Sequence, residues 1–429
     1  MTNLIIGILL LLTFFAFIYF VMRGGNIMIG FFFMALLWTI IGGISYKVAI
    51  NDIFSQPALD YGSTIVVIIF GSWFGRVLVD TQIAGSISEQ TIRVSHKHPI
   101  VAAILVCIVT AFIFTSSYGV GAVIAVGVIL LPILESLGLP KNVSVAAFVL
   151  SVGAPMYVNI VIIKQIQLFF PKVLYGSKYL GYGFAAMIVQ MLVVVIFILV
   201  HAKLIHANEE IVEEKNKNGD DILDKKSAPV YSYFIPIMPV FMNLAFGWQP
   251  IPALLLSIIL ALLLTGNMVS YRHCLKLINS TINKSVSDIS GLLVMLFILT
   301  MFSAAAVKNT ARFSAILHNI IPHSPLIIAI AFAILAPLAL FRGPLMVWGA
   351  GSATAAVIAG IGFFNQYFGF ALIIVPAVSM AVSACVTQSW NLWALEYTKL
   401  DPKKFLMTGV PWAWGTCALN LLLAVVMFN

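Results

Sequence analysis

The 429-residue chain is 62% hydrophobic and only 9% charged, with a mean hydropathy of +1.08, a composition outside the range of soluble globular domains. Its net charge of +8 comes without an aromatic-interleaved basic surface, so nucleic acid is not an expected partner; in a membrane protein such an excess marks cytoplasmic loops. The sequence has no nucleotide-binding P-loop, zinc-helix motif or nucleophile elbow, which removes support for ATP-driven transport and ordinary hydrolase chemistry.

Apolar segments recur along the whole chain, each able at about 1.5 Å per residue to cross most of a roughly 30 Å hydrocarbon core. The first, "NLIIGILLLLTFFAFIYFVM", near 3–22, has no basic residue before it and no small-x-small pattern after it, so it reads as a retained helix and not a signal peptide. Further segments are expected near 27–44, 63–82, 98–114, 118–136, 142–163 and 180–202, completing a first membrane unit over 1–202. Residues 203–230 are the only hydrophilic stretch of any length and read as a flexible linker. A second unit, 231–429, follows with segments near 231–246, 250–267, 286–307, 322–340, 343–361, 368–388 and 408–428.

A shift of about 226 residues carries each segment of the first unit onto or close to one of the second. Pro99 falls on Pro325, and "FTSSYG" at 114–119 on "LFRGPL" at 340–345. An odd number of crossings per unit turns the second unit over, so the fold expected is an all-α polytopic membrane protein of two inverted-topology repeats. Each repeat holds a re-entrant hairpin or broken helix at 98–136 and at 322–361, an arrangement found in many secondary transporters. One side collects Arg23, Arg93, Lys97, Lys141, the linker lysines, Arg272, Lys276, Lys284, Arg342, Lys399, Lys403 and Lys404, and the other only Lys47, Lys164, Lys172, Lys178, Lys308 and Arg312. That bias makes the linker cytoplasmic and both termini external.

The two breaks are the first candidate site. Thr115, Ser116, Ser117 and Gly119 interrupt one apolar pair, and Arg342, Gly343 and Pro344 the other. Pro344 lacks a backbone donor and Gly343 tolerates unusual dihedrals, so backbone groups are freed there. Inside a membrane such backbone survives only when buried in protein or lining a wet cavity. Helix ends at a break present N–H groups to an anion, and Arg342 adds a planar charged fork for a carboxylate. A midplane arginine costs about 2.5–3.5 kcal/mol, comparable with one or two charge-assisted hydrogen bonds at about 1.5–3 kcal/mol each. The alternative is that 322–340 and 343–361 are full spans and Arg342 sits in a cytoplasmic turn.

The elements after the breaks form a second candidate. "LSVGAPMYVNI" offers Ser151 and Asn159 around Gly153 and Pro155, and "VPAVSMAVSACVTQSWNLWAL" offers Ser383, Thr387, Gln388, Ser389 and Asn391. Freed carbonyls with amides and hydroxyls suit an alkali cation or a polyhydroxylated substrate, although serine and threonine also bond back to their own helix. Asp80, four residues after Arg76, is the intramembrane acid best placed to carry a coupling proton or sodium ion, or else it pairs with Arg76 at the interface. Glu135, Asp288 and Glu396 read as lying near loop edges. The histidines fall at segment ends or in loops, while Trp390 and Trp393 stand apart from the interfacial aromatic anchors. Cys107, Cys274, Cys385 and Cys417 are scattered without a C-x-x-C pair, so neither a disulfide nor a metal is expected, and no cofactor beyond the coupling ion.

The stretch Gly71, Gly75, Leu78, Asp80, followed by a basic loop, a polar-tipped hairpin and a small-residue helix, resembles the gluconate permease branch of the ion transporter superfamily, which includes citrate carriers. The resemblance implies a scaffold domain, a transport domain with two hairpins whose tips would be 115–119 and 341–344, an elevator-like shift and often a homodimer. Neither tip carries the Ser-Asn-Thr triplet of the dicarboxylate branch. The function expected is a proton- or sodium-coupled symporter of a small organic anion, in a multi-pass cell-membrane protein. The alternatives are a sodium/proton antiporter, a lipid-acting membrane enzyme, for which the scattered histidines are a poor fit, and a channel.

Overall fold

A computed structural model describes residues 2–23, 25–87, 99–202, 227–317 and 321–428. Arg93 and Lys97, His96, His98, His206 and His318, and the linker residues 203–226 lie outside the described residues.

The described residues are helical and contain no strand. The elements of the first unit are α1 (Thr2–Met22), α2 (Ile27–Ile41), α3 (Tyr46–Asp80), α4 (Pro99–Phe114), α5 (Val120–Ser136), α6 (Lys141–Tyr157), α7 (Ile160–Ile166) and α8 (Ser177–Val200). The second unit repeats the series as α9 (Val230–Phe246), α10 (Pro250–Leu264), α11 (Tyr271–Leu317), α12 (Pro325–Arg342), α13 (Gly351–Ile361), α14 (Gln366–Val382), α15 (Ser389–Thr398) and α16 (Pro402–Phe428).

The local reasons are visible in the sequence. Pro99, Pro250, Pro325 and Pro402 open helices where a missing N–H costs nothing. Asn26, Asn159 and Asn365 cap α2, α7 and α14 by accepting from backbone N–H groups one turn on. Among the described residues five helices are long and apolar enough to cross a membrane, and α6 with α7 passes the same test as a pair bent by 65°. Large apolar side chains such as Leu12, Phe15, Ile40, Ile188 and Ile196 face outward, as a lipid-exposed surface requires.

Two elements are longer than hydropathy indicates. The segments expected at 63–82 and 286–307 belong to helices that begin at Tyr46 and Tyr271. Their first turns are polar, with Lys47, Asn51 and Asp52 in one and Arg272, His273 and Lys276 in the other, so an apolar window starts too late. As a result Asp288, expected near a loop edge, lies well inside α11.

The helices pack as two groups. The first contains α1, α2, α3, α9, α10 and α11; the second contains α4, α5, α6, α8, α12, α14, α15 and α16, while α7 packs chiefly on α3 and α13 chiefly on α11, at the junction of the two. The core of the second is formed by the two interrupted helices: α6 is buried from Val143 to Tyr157, and α14 from Phe368 to Val382. They cross so closely that a Cβ on Gly153 would lie 1.9 Å from Ser383 Oγ, which leaves room for glycine only. Gln190 of α8 fastens the crossing by donating to Leu150 O (2.8 Å) and Ser383 Oγ (3.0 Å).

Candidate functional site

The chain between α4 and α5 turns at Thr115–Gly119, where Gly119 has φ +106°. This first tip rests on the break between α6 and α7: Asn159 Nδ2 donates to Phe114 O (3.0 Å) and Ser117 O (2.9 Å). On its other side the tip touches α3. A Cβ on Gly75 would lie 3.0 Å from Tyr118 N, and one on Gly71 would strike Val161 Cγ2 at 2.3 Å. The glycines spaced four apart thus let α3 approach both the tip and α7.

The second tip is a compact backbone knot. Phe341 (φ +54°) and Arg342 (φ +61°) are both left-handed, a conformation costing about 1–2 kcal/mol per non-glycine residue. It is held by Gly343 N donating to Leu340 O (3.0 Å), Ala350 N to Arg342 O (2.9 Å) and Met346 N to Gly343 O (3.0 Å). Phe341 N donates to Cys385 Sγ (3.1 Å), which docks this tip on the break between α14 and α15 as Asn159 docks the other. The following helix α13 has 11 residues, about 16 Å at 1.5 Å per residue, half of a hydrocarbon core.

Both tips face one cavity of about 500 Å³ at the junction of the two helix groups. The second group contributes Tyr118, Gly119 and Val120 from the first tip, Arg342, Met346 and Trp348 from the second, and Gln388, Ser389 and Trp390 from the start of α15. The first group contributes Asn26 and Met28 before and in α2, and Asp288, Ile289, Leu292 and Met295 of α11. Two helices begin in this wall without a side-chain cap, α5 at Gly119–Val120 and α15 at Gln388–Ser389, so the N-terminal end of each, where helical N–H groups lack intrahelical partners, lies at the cavity. Among the described residues no carboxylate forms an ion pair with Arg342.

The walls are tied together from behind by Gln165 of α7, which is 2% exposed. Its Oε1 accepts from Trp348 Nε1, and its Nε2 donates to Tyr118 Oη at 3.4 Å. Tyr118 also meets Trp390 edge-to-face, with ring centroids 6.4 Å apart.

Of the residues singled out in the sequence, Gly119, Arg342, Gln388, Ser389 and Trp390 reach the cavity wall, as does Asp288. Gly343 turns the chain behind Arg342. Thr115 donates to Phe112 O of its own helix (2.8 Å). Ser116 and Ser117 are buried, with hydroxyl oxygens that have no partner among the described residues. Asn391 Nδ2 donates to Val382 O (3.0 Å) and Cys385 O (2.9 Å), closing the second break from inside, and Thr387 Oγ1 lies 3.1 Å from Cys385 Sγ. Ser151 and Ser383 donate to Ala147 O (2.7 Å) and Val378 O (2.9 Å), back onto their own helices. Asp80 is held by two cations, Arg76 Nε and Lys284 Nζ, each 3.2 Å from one carboxylate oxygen. Tyr118, Gln165 and Trp348 escaped the sequence reading, which placed Asp288 near a loop edge; a polar Gln165 inside "VNIVIIKQIQLFF" was the one local signal.

No protein-family model and no curated protein sequence matches the chain. Among solved structures it is similar to the crystal structure of the Alcanivorax borkumensis YdaH transporter, described as having an unusual topology, with a TM-score of 0.61 and 12% sequence identity over 93% of this chain and 98% of that one. At that identity the likeness shows the fold, and it extends over nearly the full length of both chains.

Proposed function

We propose that this protein is a secondary-active transporter of a small organic anion, coupled to a proton or sodium gradient. The observation that carries the reading is the cavity into which both tips converge, with two helix N-termini without side-chain caps in its wall and an arginine that forms no ion pair among the described residues. Fixed donors around an always-charged guanidinium form a carboxylate receptor. The transporter fold of the structural neighbour supports the same class.

The cavity lies between the two helix groups, which supports an elevator-like mechanism. The second group, carrying both tips, would slide along the first and expose Arg342 to each side in turn. In this reading the two series are inverted repeats, the tips are re-entrant, the linker is cytoplasmic, both termini are external and the scaffold forms a homodimer. The short α13 supports re-entry, since it ends far short of a full crossing.

The test is uptake into proteoliposomes of labelled gluconate, citrate, succinate and shorter carboxylates under imposed pH or sodium gradients. Gradient-dependent accumulation with counterflow is expected. Failure to accumulate or exchange any carboxylate would overturn the reading.

A further inference from the structure

Two charged side chains line the cavity, and they have opposite signs: Arg342 from the second tip and Asp288 from α11. Other charges near Asp288 sit behind the wall. Arg76 of α3 and Lys284 of α11 are both engaged by Asp80 at 3.2 Å, and neither they nor Asp80 line the cavity. Among the described residues Asp288 forms no ion pair. Of the other elements packed on α11, α1, α2 and α13 contain no charged residue and α5 carries only Glu135, one residue from its C-terminal end; Arg23, just after α1, does not line the cavity.

We propose that the substrate is a zwitterion, a small molecule bearing one carboxylate and one ammonium group. This rests on the anion reading and narrows it. The carboxylate would take Arg342 and the N–H groups at the start of α5 and α15, and the ammonium would take Asp288. Each end of the ligand then meets the one cavity-lining group of opposite charge. The loaded cavity gains no net charge, which removes the largest barrier to carrying a charged ligand through a low-dielectric path. A cavity of about 500 Å³ holds a chain of several methylenes between the two ends, with Met28, Leu292 and Met295 as the apolar floor. Because the two charges lie on different helix groups, a ligand of the right length would also bridge them.

The experiment compares binding to the purified full-length protein of ω-amino acids from glycine to 6-aminohexanoate, each against the alkanoate and the dicarboxylate of matching length. One amino acid in the series should bind about tenfold or more tighter than its matched anions, the discrimination expected of one charge-assisted contact. Asp288→Asn should abolish that preference, bringing the amino acid to or below the affinity of the matched alkanoate, and Asp288→Glu, which keeps the charge, should retain it. Both variants should elute as wild type in gel filtration, and alkanoate binding serves as the internal check of folding. Preference for the dicarboxylate or alkanoate at every length, or an amino-acid preference that survives Asp288→Asn, overturns the zwitterion and leaves the anion reading standing. Absence of binding by any carboxylate overturns both.

Discussion

The indole N–H of Trp348 donates to Oε1 of Gln165, a residue 183 positions away in the sequence and on the other half of the chain. Through the same amide the first tip is attached, at Tyr118 Oη. The two tips therefore share one buried anchor on α7, and the cavity walls they supply are fixed relative to each other. Gln165→Leu keeps the volume and removes both bonds, leaving the Trp348 N–H without its acceptor. A loss of about 1–3 kcal/mol is expected for an orphaned buried donor. It should appear as weaker substrate binding and a lower Tm. The double variant Gln165→Leu/Trp348→Phe should be less damaged than the sum of the single ones, which a double-mutant cycle measures. Strict additivity would show that the two residues do not act together.

Arg342 gives a second expectation, on chemistry rather than packing. Its guanidinium can meet a carboxylate through two parallel N–H groups, which an ammonium cannot reproduce. Arg342→Gln should weaken carboxylate binding about 10- to 150-fold, the equivalent of about 1.5–3 kcal/mol for a hydrogen bond to a charged group. Arg342→Lys should recover part of that loss. Equal affinity across wild type, Lys and Gln would remove Arg342 from the site.

The backbone at the tips should be less tolerant than the polar residues around it. A Cβ on Gly343 would lie 2.1 Å from Leu338 O and 3.0 Å from Leu340 O. These are backbone atoms of the same knot, so they have nowhere to move. Gly343→Ala should cost at least the 1–3 kcal/mol typical of overpacking and lower the Tm. Gly415→Ala, with open space around the new methyl, should be neutral or slightly stabilising within α16. Measuring both separates the local clash from a general intolerance of helix substitutions.

Much of this architecture is legible in the residues. The apolar segments, the polar break after Phe114 and the Arg342–Gly343–Pro344 interruption all mark real boundaries, because helix length and helix breaking are local properties. What pattern reading loses is what depends on neighbours. The early turns of α11 are too polar for an apolar window, yet they are helical, and this places Asp288 in the cavity wall instead of at a loop edge. Gln165 looks like a stray amide until α7 is folded against both tips. Asn159 and Asn391 read as ligand groups from composition, and in the fold their amide nitrogens are engaged by backbone carbonyls of the breaks.

Asp80 illustrates how two roles separate by measurement. Its carboxylate pairs with Arg76 of its own helix and accepts from Lys284 across the α3–α11 contact, and Ser72 and Trp73 cross the same contact to Ser285 O (3.2 Å) and Thr281 Oγ1 (2.9 Å). As a clamp between α3 and α11, it should matter for stability. The Lys284 side chain is 49% exposed, so solvent screening limits the expected loss in Asp80→Asn to about 1 kcal/mol. The variant should have a modestly lower Tm and should keep its dependence on the imposed gradient in proteoliposome uptake. A coupling carboxylate behaves in the opposite way, with unchanged Tm and uptake that no longer responds to the gradient; that outcome would make Asp80 the ion carrier and reduce the clamp to a secondary role.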